Sequence, residues 1–351
     1  MKLTKKNILK LKYQNNPSIL LKAALLTHYK DIFLKVLIRE FNFFDELNKR
    51  EMNQREIVKR FRFTDRATSV FLPLFVEQGY IKVSNKTKKY SLTSLSKEFL
   101  ISNSVKSFFN FFNFGKYIYS ESQLSKDVRF VLKTNNPVSH LKNKRDWITG
   151  MKKDKDFAED FTKALDPRGL FFAKIIAKKL KLSHYKNLID IGGGSGIYSQ
   201  VLSAYNKHLN LTILDLPNVI SLTRKLTRSR GFSHIIRIIE GDMFNFNYNK
   251  KYDVHFYSNV FHDWDKPEVE ILIKKSYQGL PKKGEIVIFD GHKELKHNSD
   301  SLLMNDINLL MITKGRYYYY YEIKEMLESV GFKKIKKINV YEGRNLIIAT
   351  K

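Results

Sequence analysis

The chain predicts an α/β domain built on a mostly parallel sheet and preceded by an α-helical module. Three features point there. From residue 188 onward, short β-prone segments alternate with helical patterning, which places helices over both faces of one sheet. Residues 19–80 instead carry apolar side chains at helical spacing and run into a hairpin signal. At the start of the alternating stretch, Leu188-Ile189-Asp190-Ile191 passes directly into a glycine cluster and then a helix-compatible segment. At 351 residues there is length for two domains and a substantial core. The boundaries are read as 1–105 for the helical module, 106–180 for a helical connector, and 181–351 for the α/β domain.

In chain order, Ile19 to Leu47 is helical, and Arg55 to Phe61 is a short helix. Thr64 or Asp65 caps a further helix, Arg66 to Gln78, which tolerates Pro73 and is closed by Gly79. Tyr80 to Val83, a polar turn at Ser84 to Lys89, and Tyr90 to Thr93 form a β-hairpin. Helix, helix, hairpin is winged-helix order, a module that often puts its second helix into the DNA major groove. That helix carries Val70, Phe71, Leu72, Leu74, Phe75 and Val76, so it is read as a packing element and not as a base reader. Phe108 to Phe114 is read as a buried interface helix rather than a membrane-surface segment. Helical patterning resumes through Phe157 to Leu180. Strands follow at 188–191, 211–214, 235–239, 253–257, 285–289 and 346–349, with 335–340 as another.

Ligands of such sheets sit at the carboxyl ends of the strands, where the informative residues cluster. The glycines fall at 192, 193, 194 and 196, and Ile197 stands where a dinucleotide fingerprint wants its third glycine. A pyrophosphate-bearing dinucleotide therefore fits poorly, and a nucleoside carrying a small zwitterion, such as S-adenosylmethionine, fits better. Asp215 ends the second strand, 19 residues past Gly196, where an acid accepts from both ribose hydroxyls; otherwise it caps the helix at Pro217. Asp242-Met243 suits an adenine, the carboxylate accepting from its amino group and the thioether packing on the ring. The fourth strand opens into Ser258-Asn259-Val260-Phe261-His262-Asp263-Trp264-Asp265. An imidazole beside two carboxylates just past a strand end is a place for a general base. The fifth strand ends on Asp290.

Composition removes other classes. No apolar run approaches about 18 residues, so nothing spans a membrane. Met1 to Tyr13 is basic without an apolar stretch before a small-residue cleavage site, which predicts a cytoplasmic chain rather than a secreted one. Without cysteine there are no disulfides and no thiolate metal sites, and no metal is expected. The net charge is +28, of which residues 1–150 carry +17. Arg-rich runs with interleaved aromatics are missing, so this is read as a lysine-rich solvated surface before a nucleic-acid footprint.

The order IDIGGGSG, LDLP, EGDMF, SNVFHDWD, LPKKGEIVIFD, DINLLMITKGR and LESVGF resembles the S-adenosylmethionine-dependent O-methyltransferases of the caffeate/hydroxyindole type, particularly their bacterial small-molecule members. The likeness covers nearly the whole chain. FFDEL, VEQGYIKV and YSLTSLSKEFL resemble that family's winged-helix-like dimerisation domain. The resemblance implies a Rossmann-like class I methyltransferase domain behind such a domain, a homodimer, and a connector contributing to the acceptor pocket. It implies that Gly192, Gly194 and Gly196 face the methionine part of the cofactor. Asp215 would hold the ribose, Asp242 and Met243 the adenine, with Leu216, Ser258 and Trp264 beside the cofactor. His262 would deprotonate the acceptor. An imidazole has a pKa of about 6.5 and a phenol about 10, so proton removal has to accompany attack.

Plant members orient the histidine with two acids. This chain offers Asp290 at the first position and Tyr317, the first of five tyrosines, at the second. Tyr318, Met304 and Asn308 are candidate acceptor contacts. The expected activity is O-methylation of a small aromatic or polyketide-like metabolite. Carbon or nitrogen methylation, a non-methylating use of the same cofactor, and a cofactor-binding DNA-interacting regulator stay open beside it.

Overall fold

The computed structural model describes residues 3–10, 29–103, 123–138, 147–295 and 298–351. The Phe108 to Phe114 segment and the start of the helix expected from Ile19 lie outside them. Contacts group the chain into two units that cross the sequence divisions at 105 and 180. An α/β unit comprises Met1–Leu21, Leu141–Glu294 and Tyr317–Lys351, and a helical unit comprises Lys22–His140 and Leu295–Arg316.

The helical unit contains helices Tyr29–Arg39, Phe43–Lys49, Gln54–Phe61, Asp65–Glu77, Ser94–Phe99, Gln123–Lys133 and Asp300–Ile312, with the antiparallel hairpin β1 (Ile81–Val83) and β2 (Tyr90–Leu92). Helix Gln54–Phe61 starts on a capping box in which Asn53 accepts from the Glu56 amide and Glu56 accepts from the Asn53 amide. Of the two caps considered for the next helix, Thr64 does the work: its Oγ1 accepts from the Ala67 amide at 3.1 Å. Phe43, Phe44, Phe61, Phe63, Phe71 and Phe75 pack ring against ring in the core. Leu303, Met304, Ile307, Leu310 and Met311 of helix Asp300–Ile312 complete that core. Buried Arg66 donates to the carbonyls of Thr313 (2.8 Å), Gly315 (3.1 Å) and Leu310 (3.4 Å), covering the acceptors at the end of that helix. The polar residue that opens the candidate reading helix is thus spent inside its own unit.

The α/β unit is an eight-stranded sheet. Its strands are β3 (Asn187–Ile191), β4 (Asn210–Asp215), β5 (Ile236–Glu240), β6 (Val254–Ser258), β7 (Glu285–Lys293), β8 (Tyr318–Tyr319), β9 (Lys333–Tyr341) and β10 (Arg344–Thr350). The order is β5-β4-β3-β6-β7-β10-β9, with β8 added to β7. Pairing is parallel from β5 through β7, whereas β10 runs antiparallel to both β7 and β9. Side chains alternate between two cores, as the period of a strand requires. Leu188, Val254, Phe256, Val287, Phe289 and Leu346 join helices Lys155–Lys179 and Ile197–Tyr205. Ile189, Ile191, Tyr257, Ile286, Ile288 and Ile347 join helices Lys266–Gly279 and Tyr320–Ser329. Strand β9 closes one edge with Lys333, Lys334, Lys336 and Lys337, which blunts it against edge-to-edge pairing.

Candidate active site

The chain leaves β3 at Ile191 and turns through the glycines into helix Ile197–Tyr205, whose N-cap is Gly196. Gly194 and Gly196 have φ of 55° and 76°, a region costly to any residue with a Cβ. At Gly196 a Cβ would stand 2.7 Å from Ile213 Cδ1, whereas at Gly194 it would meet nothing nearer than 3.9 Å. Gly196 is therefore demanded by packing, and Gly194 leaves backbone open to a close ligand. Asp215 Oδ2 accepts from the Gly194 amide at 2.7 Å and its Oδ1 from the Leu216 amide at 2.7 Å. Burial pushes its carboxyl up to about 6 in spite of these two donors. Below the loop, Asp190 Oδ2 accepts from Ser199 Oγ at 2.8 Å, while its buried Oδ1 has no partner among the described residues. Burial pushes this carboxyl up to about 7, and the nearby Asp215 charge adds to the rise. Asp190 was not singled out from sequence; the available signal was an acid inside an otherwise apolar strand.

Past β5, Asp242 Oδ1 accepts from the Phe244 amide and Oδ2 pairs with Lys152 Nζ at 2.9 Å. Lys152 lies on helix Trp147–Lys153, 90 residues away, and nothing local announced it. Met243 and Phe244 pack on the core that holds Trp264, whose indole meets the Phe244 ring edge-on at 4.7 Å. Leu216 packs against Met151, Ala158 and Val219. Ser258 is buried where β6 ends.

Asn259 then takes a left-handed conformation (φ 54°), which Asn tolerates, and swings the chain into the short 3₁₀ turn Phe261–Asp263. That turn buries His262. Its Nδ1 lies 2.6 Å from Asp290 Oδ1, and its amide donates to Asp290 Oδ2 at 3.2 Å. A carboxylate on Nδ1 puts the proton there and leaves the Nε2 lone pair as the base. Asp263 Oδ1 stands 3.6 Å from Nε2. Burial works against the imidazolium, but Asp290 and Asp263 together outweigh it and hold the His262 pKa above its ordinary value. Burial likewise opposes the Asp290 carboxylate, yet His262 and the Gly291 amide hold its pKa below the usual carboxylate range. Burial lifts Asp263 to about 6, more than His262 lowers it.

Tyr317 is fully buried and meets the imidazole edge-on, ring centroids 5.4 Å apart. Its hydroxyl accepts from Arg344 Nη1 at 2.9 Å. Sequence reasoning missed Arg344. Tyr318 is buried and donates to the Trp264 carbonyl at 2.7 Å, so its hydroxyl serves the fold. Met304 and Asn308 belong to the helical unit, Met304 within its apolar core.

Residues 138–333 match the family model for the O-methyltransferase domain. The chain belongs to the O-methyltransferase family. It is accordingly an S-adenosylmethionine-dependent methyltransferase. This methyltransferase is 25% identical over 323 residues to an L-tyrosine C(3)-methyltransferase of Streptomyces lavendulae, covering 89% of this chain and 87% of that protein. It is 26% identical over 194 residues to a 3-hydroxy-5-methyl-1-naphthoate 3-O-methyltransferase of Streptomyces sahachiroi, covering 54% of this chain and 56% of that one. Its fold matches an O-methyltransferase family 2 protein of Planctomyces limnophilus, solved with apigenin, with a TM-score of 0.83 at 21% identity over 100% of both chains. It also matches human N-acetylserotonin methyltransferase, solved with S-adenosylmethionine, with a TM-score of 0.57 at 20% identity over 97% and 99% of the two chains. Among the described residues no cluster of three His, Asp or Glu suits a metal ion, and no helix is long and apolar enough to cross a membrane.

Proposed function

We propose that this methyltransferase methylates a hydroxyl on a small aromatic or polyketide-like metabolite, with His262 as the general base. The observation that carries the base assignment is the 2.6 Å contact of Nδ1 with Asp290, which frees Nε2 and raises its proton affinity. When bound, S-adenosylmethionine supplies the methyl group as an electrophilic carbon on a sulfonium. Gly192, Gly194 and Gly196 would flank its methionine part, Asp215 and Leu216 its ribose, and Asp242, Met243, Ser258 and Trp264 its adenine side. The open backbone at Gly194 and the orphan Asp190 oxygen suit a ligand of many N–H and O–H donors. His262 takes the acceptor proton at Nε2, Asp290 holds the ring, and Tyr317 packs against it. Support for the acceptor class comes from the naphthoate and apigenin named for its relatives.

A carbon acceptor is the second reading, because the L-tyrosine C(3)-methyltransferase aligns with far more of the chain than the naphthoate enzyme does. An ortho carbon needs the same deprotonated phenol, so product NMR separates the two. The helix-helix-hairpin order of the helical unit supports a winged-helix-like dimerisation domain, and a cytoplasmic homodimer belongs to the same proposal; light scattering tests the dimer. The deciding variant is His262→Ala. It should keep calorimetric S-adenosylhomocysteine binding and lose at least about a hundredfold in turnover. Normal turnover would remove His262 as the base.

A further inference from the structure

Beside the His262–Asp290 pair lies a second charged element. Arg344 opens β10, is buried, donates to the Tyr317 hydroxyl, and sets its guanidinium 5.3 Å from the Phe172 ring centroid. Phe172 follows Arg168 by four residues on helix Lys155–Lys179, so both side chains leave one helix face. The helix is held close at this point. A Cβ on Gly169 would come within 2.6 Å of Ile197 Cγ2, so the Arg168 backbone is pressed against the start of helix Ile197–Tyr205. The Arg168 side chain is half-buried, and among the described residues it makes no hydrogen bond or close ion pair. Its charge is felt by His262 and Asp263, and its strongest charged neighbour is the like-charged Arg344.

Arg344 thus reaches the base through Tyr317, whose ring meets the imidazole, and Phe172, one helical turn past Arg168, lies under the Arg344 guanidinium. Arg344 is occupied by a hydroxyl and two aromatic faces. Arg168 is left over, and a partly buried cation without a bonded anion is costly to keep. The guanidinium fork matches a planar carboxylate with two parallel N–H donors.

We propose that Arg168, backed by Arg344, receives a carboxylate on the acceptor, so that the substrates of this enzyme are hydroxy-aromatic acids rather than neutral phenols. The inference rests on the methyl-transfer reading and narrows it. The test is calorimetry on the full-length protein loaded with S-adenosylhomocysteine. The probes are 3,4-dihydroxybenzoate against catechol, and 3-hydroxy-2-naphthoate against 2-naphthol, each with wild type, Arg168→Met and Arg168→Lys. A charge-assisted pair predicts that wild type prefers the acid of each couple by roughly ten- to a hundredfold. Arg168→Met should collapse that ratio toward one, and Arg168→Lys should restore part of it. A wild type that binds acid and phenol equally, or binds only the phenol, overturns the proposal, and that result stands whether or not the variants fold. A ratio that survives in Arg168→Met overturns it as well. Absence of heat from S-adenosylhomocysteine would count against the methyltransferase reading instead, and the acid-to-phenol ratio would then be read on the cofactor-free protein.

Discussion

Asp290→Asn keeps the size of the side chain and removes the negative charge that faces His262. In the native site Asp290 accepts from His262 Nδ1 (2.6 Å), the His262 amide (3.2 Å) and the Gly291 amide (2.7 Å). Only the first bond changes its charge state during catalysis, because Nδ1–H belongs to an imidazolium once Nε2 has taken a proton. Both residues are buried, so solvent screens the pair little. A hydrogen bond to a charged partner is worth about 1.5–3 kcal/mol, and one pKa unit corresponds to about 1.36 kcal/mol. Loss of the charge should therefore lower the His262 pKa by about one to two units. The native pKa lies above its ordinary value, so the acid limb of kcat/KM should fall above about pH 6.5, and the base should be lost below it. In the variant that limb moves to lower pH. The plateau above it should drop by about 10²- to 10⁴-fold, since the base is weaker and its tautomer is no longer held. NMR titration of the His262 ring reads the shift without an acceptor, and initial rates against pH read the limb. A limb that stays in place or moves to higher pH would refute the assignment of Asp290 as the charge that tunes His262.

Asp215→Ala removes the carboxylate that holds the Gly194 and Leu216 amides and that is assigned to the ribose. Affinity for S-adenosylhomocysteine should fall by about ten- to a hundredfold, and calorimetry returning the native value would take Asp215 out of the nucleoside site. Gly169→Ala places a methyl 2.6 Å from Ile197 Cγ2, on a β-branched side chain whose χ1 is fixed in a helix. Overpacking costs about 1–3 kcal/mol against a helix-propensity gain of about 0.5–1 kcal/mol. The difference, about 0–2.5 kcal/mol, should lower Tm by up to about 10 °C for a unit of this size, and a Tm that rose would show that the two helices are not in tight contact.

Much of the α/β unit was legible because its signals are local. The glycine cluster and the strands β3 to β7 each follow from a few adjacent residues, and observed ends differ from expected ones by one residue at β5 and β6. At β7, strand pairing runs on to Lys293, four residues beyond the expected end, because β10 and β8 supply partners there. Grouping by contact was not legible. Helix Asp300–Ile312 reads as one more helix of an alternating pattern, yet its apolar side chains and the Arg66 bonds tie it to the helical unit.

The chain by itself determined the type of sheet, the glycine turn and the histidine just past a strand end, since strand period, backbone freedom and strand-end position are properties of neighbouring residues; of the two neighbouring acids, Asp263 stays near the imidazole and Asp265 caps the next helix. Tertiary structure alone decided that Asp290 serves Nδ1, that Lys152 meets Asp242, and that Arg344 engages Tyr317. Those contacts join residues 27 to 90 positions apart. No short-range pattern encodes such pairs, because what brings them together is the burial of two cores on opposite faces of one sheet.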